Sequence, residues 1–253
     1  MSSLVIALIV FVCVFGSALL GLFLRTSLPE HHLSEDSTGV VKLGTGLIAT
    51  LAALVLGLLI ASAKTSFDKI KDEVTQAGTM AVQLDRTLAQ YGRETKEARD
   101  LLRSAVASLT ELLFSGEGSG LAKLDAPERV ARMEKIEGEL RDLAPRNDAQ
   151  RSLQTRALQL TNSLTHMRWL VIAHGEGAIP TPFLVVVVFW LSTIFAGFGM
   201  LSAKNATVVT ILVVCALSVS GAIFLIEEMD RPLESLMKIS GAPLRNALDH
   251  LGQ

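Results

Sequence analysis

The stretch Leu43–Ala63 reads LGTGLIATLAALVLGLLIASA and runs on, without proline or a turn cluster, into KTSFDKIKDEVTQAGTMAVQLDRTLAQY, Lys64–Tyr91. The first part carries no charge. At about 1.5 Å per residue it is long enough to cross the roughly 30 Å hydrocarbon core of a bilayer. The second part is rich in charge, and its apolar residues fall in alternating steps of four and three: Ile70, Val74, Ala77, Ala81, Leu84, Leu88 and Tyr91. That spacing is the seam of a helix that buries one stripe and leaves the rest in water. One helix therefore leaves the membrane and continues into solvent. The fold class that follows is all-α: a polytopic membrane protein with four transmembrane helices plus a cytoplasmic antiparallel helical bundle or coiled coil continuing from the second span.

Downstream, the seam resumes after polar Thr95 with Ala98, Leu102, Ala105, Leu109 and Leu112. Read as continuous heptads, span and seam make one helix of about 70 residues, weakened slightly at Gly78 and Gly92 and ended by SGEGSG, Ser115–Gly120. A second helix is predicted to start at Asp125 as N-cap with Pro127 in its first turn. It carries Val130, Met133, Ile136, Leu140 and Leu143 and stops at Ala144–Pro145. A third starts near Asn147 and follows Leu153, Ala157, Leu160, Leu164, Met167 and Val171. Three such stripes can bury one another. The charges between them, such as Glu94, Lys96, Glu97, Arg99, Asp100 and Arg103, then form a solvated outer face with pairs three or four residues apart.

Three more charge-free runs flank this insert: Leu4–Leu24, Phe183–Leu201 and Ala206–Ile226. None shows the polar stripe of a soluble amphipathic helix. No Lys or Arg precedes the first run, which is too long for a signal-peptide core, so it reads as a retained span. The last two runs are separated only by Ser202–Asn205, which predicts an antiparallel hairpin entered through Pro180 and Pro182. The domains read as 1–64 (two spans, about 4–24 and 43–63, with a short external loop), 65–180 (helical insert), 181–226 (hairpin) and 227–253 (helical tail). Lys64, Lys69, Lys71, Arg168, Arg231, Lys238 and Arg245 face Arg25, Lys42 and Lys204 across the spans, seven against three. The positive-inside rule then puts the insert and both termini in the cytoplasm, with the chain multi-pass in the membrane.

Half of the 253 residues are apolar, and the mean hydropathy is +0.45. With 23 basic and 25 acidic residues the chain gives no electrostatic reason for a nucleic-acid partner. The partners it implies are the lipid bilayer and further copies of itself. Cys13 and Cys215 lie in apolar runs, where Cys behaves as a small hydrophobe. No Asp, Glu, His, Lys or Arg interrupts a span, which argues against a proton-coupled transporter. No phosphate-binding, zinc-protease or nucleophile-elbow motif occurs. The chain therefore reads as a non-enzyme without a cofactor.

The second span holds the most informative pattern. At about 100° per residue Gly46, Thr50, Ala53, Gly57 and Ala61 share one face, widened by Thr45 and Ala49 and ending at Lys64. Leu47, Leu51, Leu54 and Leu58 read as the opposite face. Small residues of this kind (Thr45, Ala49, Ala53, Gly57, Ala61) are packing devices in membranes. They are also what a conduction path needs when several chains bring their second spans together, with Thr50 offering a hydroxyl and Lys64 favouring anions. Between the first two spans, LPEHHLSEDS places His31 and His32 near Glu35 and Asp36, groups suited to a divalent metal or to pH sensing, or to an interfacial loop in water. At the mouth of the fourth span Glu227, Glu228 and Asp230 either hold a cation or cap a helix. Asp230 is read as the N-cap of a tail helix that starts at Arg231 and Pro232. The tail's apolar residues, Leu244, Ala247, Leu248 and Leu251 among them, lie on the membrane surface or pack on the insert.

The segments LPEHHLSEDS, VVKLGTGLIATLAALVLGLLIASAKTSFD, LDRTLAQYG, PRNDAQRSLQ, IPTPFLVVVVFWL and DRPLESLMKISGAPLRNALDHLGQ together resemble a bacterial four-span membrane family described as bestrophin-like. The resemblance covers essentially the whole chain. It implies an oligomeric, anion-conducting channel with cytoplasmic termini and a pore lined by the second span. The second span departs from the phenylalanine- and isoleucine-rich bestrophin neck, since it has no aromatic residue. Two readings stay open: a homo-oligomeric ion channel, and a non-conducting scaffold or sensor that binds a cytoplasmic protein partner through the insert.

Overall fold

The computed structural model describes residues 2–27, 29, 35–114, 126–175, 177, 179–232 and 239–252. Among these residues the helices are α1 (Ser3–Ser27), α2 (Glu35–Tyr91), α3 (Lys96–Phe114), α4 (Pro127–Arg141), α5 (Asp148–Gly175), α6 (Thr181–Leu201), α7 (Ala206–Asp230) and α8 (Ala242–His250), with a 3-10 turn at Arg93–Thr95. There is no strand among the described residues. Four helices are long and apolar enough to cross a membrane: α1, α2, α6 and α7. The chain divides into two compact units, residues 1–65 with 178–230, and residues 66–177 with 231–253.

In the first unit α1 is the organising helix. Val10, Val14, Ala18 and Leu22 recur every four residues and are buried against Val187, Leu191 and Ile194 of α6 and Leu212, Ala216 and Ile223 of α7. The approach of α1 to α6 is unusually close. A Cβ added to Gly21 would lie 2.1 Å from the Ala196 carbonyl oxygen, and one added to Gly199 the same distance from that of Ala18. Small residues allow this contact, and in lipid it is packing rather than solvent exclusion that holds helices together. Although α6 and α7 are consecutive, both pack on α1 far more than on each other. Pro180 is the N-cap of α6 and Pro182 lies in its first turn, as the sequence predicts. The Asn205 side chain caps α7 by accepting the Val208 N–H at 2.8 Å.

The second unit corrects the single long helix. Helix α2 is unbroken for 57 residues but ends at Tyr91. Gly92 adopts φ 138° and ψ −175°, a region open essentially to glycine alone. The Thr95 hydroxyl, fully buried, closes the turn by donating to the Leu88 carbonyl at 2.7 Å. The chain then returns, so that Ala81, Leu84 and Leu88 of α2 meet Ala98, Leu102 and Val106 of α3 in one core. The heptad phase survives the break because both arms of a helical hairpin turn the same apolar stripe inward. Among the described residues the insert thus holds four helical segments where the sequence predicted three.

Buried charge, which the sequence assigned to the outer face, fastens this hairpin. Asp85 is 1% exposed and accepts two hydrogen bonds from Arg99, Nε at 2.8 Å and Nη2 at 2.9 Å. The Gly252 N–H donates to the same carboxylate at 3.2 Å, tying the chain's far end to it. Hydrogen bonding to Asp85 raises the Arg99 pKa against the desolvation that lowers it, and attraction to Asp85 and Asp100 adds to the rise. Other ion pairs also cross between elements, Lys135 to Glu97 at 3.0 Å and Arg146 to Glu94 at 3.2 Å.

Helix α4 starts after Ala126 with no side-chain cap, and the expected N-cap, Asp125, lies outside the described residues. It ends at Arg141, before Ala144–Pro145. Gln154 of α5 donates to the Leu140 and Leu143 carbonyls at its C-terminal end, at 2.8 and 3.0 Å. Such carbonyls have no partner inside their own helix. Asn147 caps α5 through the Gln150 N–H at 2.8 Å. The polar segment PRNDAQRSLQ is therefore a joint between α4 and α5. Leu244 and Ala247 of α8 are buried in the same unit, where Leu248 and Leu251 pack on its main core.

Candidate functional site

The membrane part of α2 presents three sides. Ala52, Leu59 and Ala63 are buried in the core of the first unit, with Ile48, Ala49, Val55 and Leu56 packed around them. Thr45 belongs to this side too, since its hydroxyl oxygen lies 2.9 Å from where a Cβ on Gly197 would sit. About 140° round the helix lie Gly46, Thr50, Ala53, Gly57, Ala61 and Lys64, and every one of them is exposed. Among the described residues nothing beyond the adjoining residues and the helix's own backbone comes within 4 Å of a Cβ added to Gly46 or Gly57. The Thr50 hydroxyl donates to the Gly46 carbonyl at 3.0 Å, a bond within the helix itself.

Leu47, Leu51, Leu54 and Leu58 form the third side, also exposed, with Leu58 at 63%. They flank the small-residue face at about 90° rather than opposing it. The side that opposes the small face is the packed one. Thr45 and Ala49 therefore do not widen the small face but belong to the contact inside the chain. The geometry divides α2 into an intramolecular seam, a leucine row suited to lipid, and a smooth exposed face.

Of the residues predicted for metal or pH sensing, His31 and His32 lie outside the described residues. Glu35 is the first residue of α2 and is exposed, and Asp36 is helical without a described side chain. Among the described residues no group of three His, Cys, Asp or Glu is placed to hold a metal ion. Cys13 and Cys215 are both exposed and unbridged.

The acidic residues of the fourth span are placed differently from the cap that was expected. Glu227, Glu228 and Asp230 are all buried in the last turn of α7. Asp230 does not begin a helix at Arg231 but ends one, and its carboxylate accepts the Ile179 N–H at 3.3 Å, beside the start of α6. A carboxylate at the C-terminal end of α7 opposes that helix's dipole, whereas one near the N-terminus of α6 is favoured. The sequence signal for this was available: three acids directly after an apolar run.

A family model described as Bestrophin-like matches residues 12–244. No curated protein matches the chain. Among solved structures, an isoleucine-to-threonine variant of a bacterial Bestrophin homolog from Klebsiella pneumoniae aligns with a TM-score of 0.69 at 14% identity, covering 97% of this chain and 99% of that one. A tryptophan-to-alanine variant described in the same words aligns at 0.68 and 14% identity, covering 100% and 99%. At such low identity the likeness is one of fold, and it extends over both chains end to end.

Proposed function

The chain belongs to the Bestrophin-like family, and from that premise we propose that it is the subunit of an oligomeric ion channel of the bacterial inner membrane. The small-residue face of α2, Gly46, Thr50, Ala53, Gly57 and Ala61, would line the path. The observation that carries this reading is the exposure of the whole face in a helix whose other sides are accounted for. Small side chains facing lipid gain little, since close approach is what they offer. Copies of the chain arranged as a ring would leave room between these faces, with an apolar constriction that gates by dewetting. Lys64 at one end of the face favours anions.

Reconstituted protein is expected to pass chloride in a liposome flux assay and to form a closed ring of copies in nanodiscs. A monomeric particle would overturn the reading, because the first unit alone surrounds no path.

A further inference from the structure

The second unit holds a largely apolar pocket of about 120 Å³ that opens to solvent on one side. Val74 and Ala81 of α2, Leu102 and Val106 of α3, Met133 of α4 and Leu164 of α5 contribute walls. Three arginines line it as well: Arg129 and Arg132 from α4, and Arg168 from α5. Arg129 donates to the Ser108 carbonyl at 3.3 Å. Arg132 donates to the Ser104 carbonyl at 3.3 Å and to the Ser108 hydroxyl at 3.1 Å. Two cations thus meet at one residue of α3. Arg168 lies over the Trp169 ring at 5.2 Å from its centroid, while its Nε and Nη1 are buried with no hydrogen-bond partner among the described residues.

Among the described residues none of the three arginines makes an ion pair. Burial pushes the Arg129 pKa down, and Arg132 lowers it further against a partial rise from Glu128. Buried donors without acceptors cost free energy. So does apolar lining left facing water. One molecule with an apolar body and an anionic end would relieve both.

We propose that this cavity binds a small carboxylate bearing an aromatic ring or a short alkyl group, its apolar part in the cavity and its carboxylate at Arg129, Arg132 and Arg168. The planar carboxylate matches the guanidinium fork. The size is right for a ring, since an apolar cavity of about 150 Å³ takes up benzene. The proposal holds whether or not the protein conducts.

The test uses the full chain in nanodiscs with 4-fluorophenylacetate as probe, followed by fluorine NMR, with empty nanodiscs as baseline. Saturable binding is expected above that baseline. Arg168→Met, which keeps length but removes the charge, and Ala105→Phe, which fills the cavity from α3, are each expected to weaken it by about tenfold or more. On the unsubstituted protein, unlabelled phenylacetate should displace the probe, and acetate or toluene at the same concentration should not. Binding no greater than the baseline, binding that survives either substitution, or equal displacement by acetate or toluene would each overturn the proposal.

Discussion

Ala18, Gly21, Ala196 and Gly199 are as small and apolar as Gly46, Ala53, Gly57 and Ala61, yet the two sets meet opposite fates. The first set is the crossing of α1 and α6, where backbone touches backbone and no Cβ fits at Gly21 or Gly199. The second lies open along α2, where no other helix among the described residues comes near Gly46 or Gly57. Composition does not separate them. What separates them is whether a second helix of the same chain is brought to the face. A small-residue surface in a membrane helix therefore states that something approaches, without saying which chain supplies it. The sharpest way to break the comparison is to add side-chain volume to each set. Gly199→Val must push α6 off α1, because the obstacle is the Ala18 backbone rather than a side chain that could turn aside. A loss of more than about 3 kcal/mol is expected, the upper end of ordinary overpacking, measured by unfolding in mixed micelles. A native-like melting transition would show that α1 and α6 are not held as described.

Gly92 sharpens the contrast with a third reason for glycine. Its φ of 138° with ψ of −175° excludes side-chain-bearing residues by conformation, and the close contact a Cβ would make there, 2.6 Å from Glu94 Oε2, is with the end of a flexible side chain. Gly92→Ala is expected to cost about 1–3 kcal/mol, seen as a lower melting temperature of the full chain, without changing the α1–α6 crossing. An unchanged melting temperature would mean that the α2–α3 turn is made some other way.

The same contrast marks what could be read from the sequence. The spans were legible because charge is absent over a membrane's thickness, a property of composition that needs no partner. The seam of the insert was legible from its four-and-three spacing, but its reversal at Gly92 was not, since Ala81, Leu84 and Leu88 stay in phase with Ala98 and Leu102 on either side of the turn. Thr95 was the available hint, a polar residue in an apolar seam, and it is buried because its hydroxyl closes the turn. Asp85 was hidden for a related reason. Its partner Arg99 is 14 residues away, too far for a helical pair and in reach only after the reversal. For the candidate face the sequence identified Gly46, Thr50, Ala53, Gly57 and Ala61 but not Thr45 and Ala49 as members of the packed side. That assignment depends on where α6 and its Gly197 come to lie.

At Gly57 the comparison predicts tolerance of volume within the subunit. Gly57→Phe should change subunit stability by less than about 0.5 kcal/mol, the range of substitutions that meet no neighbour. If the face lines a conduction path, the same substitution should abolish chloride flux, because several rings would meet where glycine left space. Stability and flux thus part company at Gly57 and fall together at Gly199. A fall in both at Gly57 would place this face at a helix contact between copies instead.

The smallest effect is expected at Lys64, where charge rather than volume is at issue. Lys64→Gln removes one positive charge per copy from the end of the exposed face and leaves the side chain's reach nearly intact. A unit charge about 8 Å from an ion is worth about 0.5 kcal/mol in bulk water, with opposite sign for chloride and potassium, so each lost charge should lower the preference for chloride by roughly fivefold. Reversal potentials in an asymmetric salt gradient would measure it. An unchanged preference would detach Lys64 from the path while leaving the rest of the face in contention, since the glycine and alanine positions act through space and not through field.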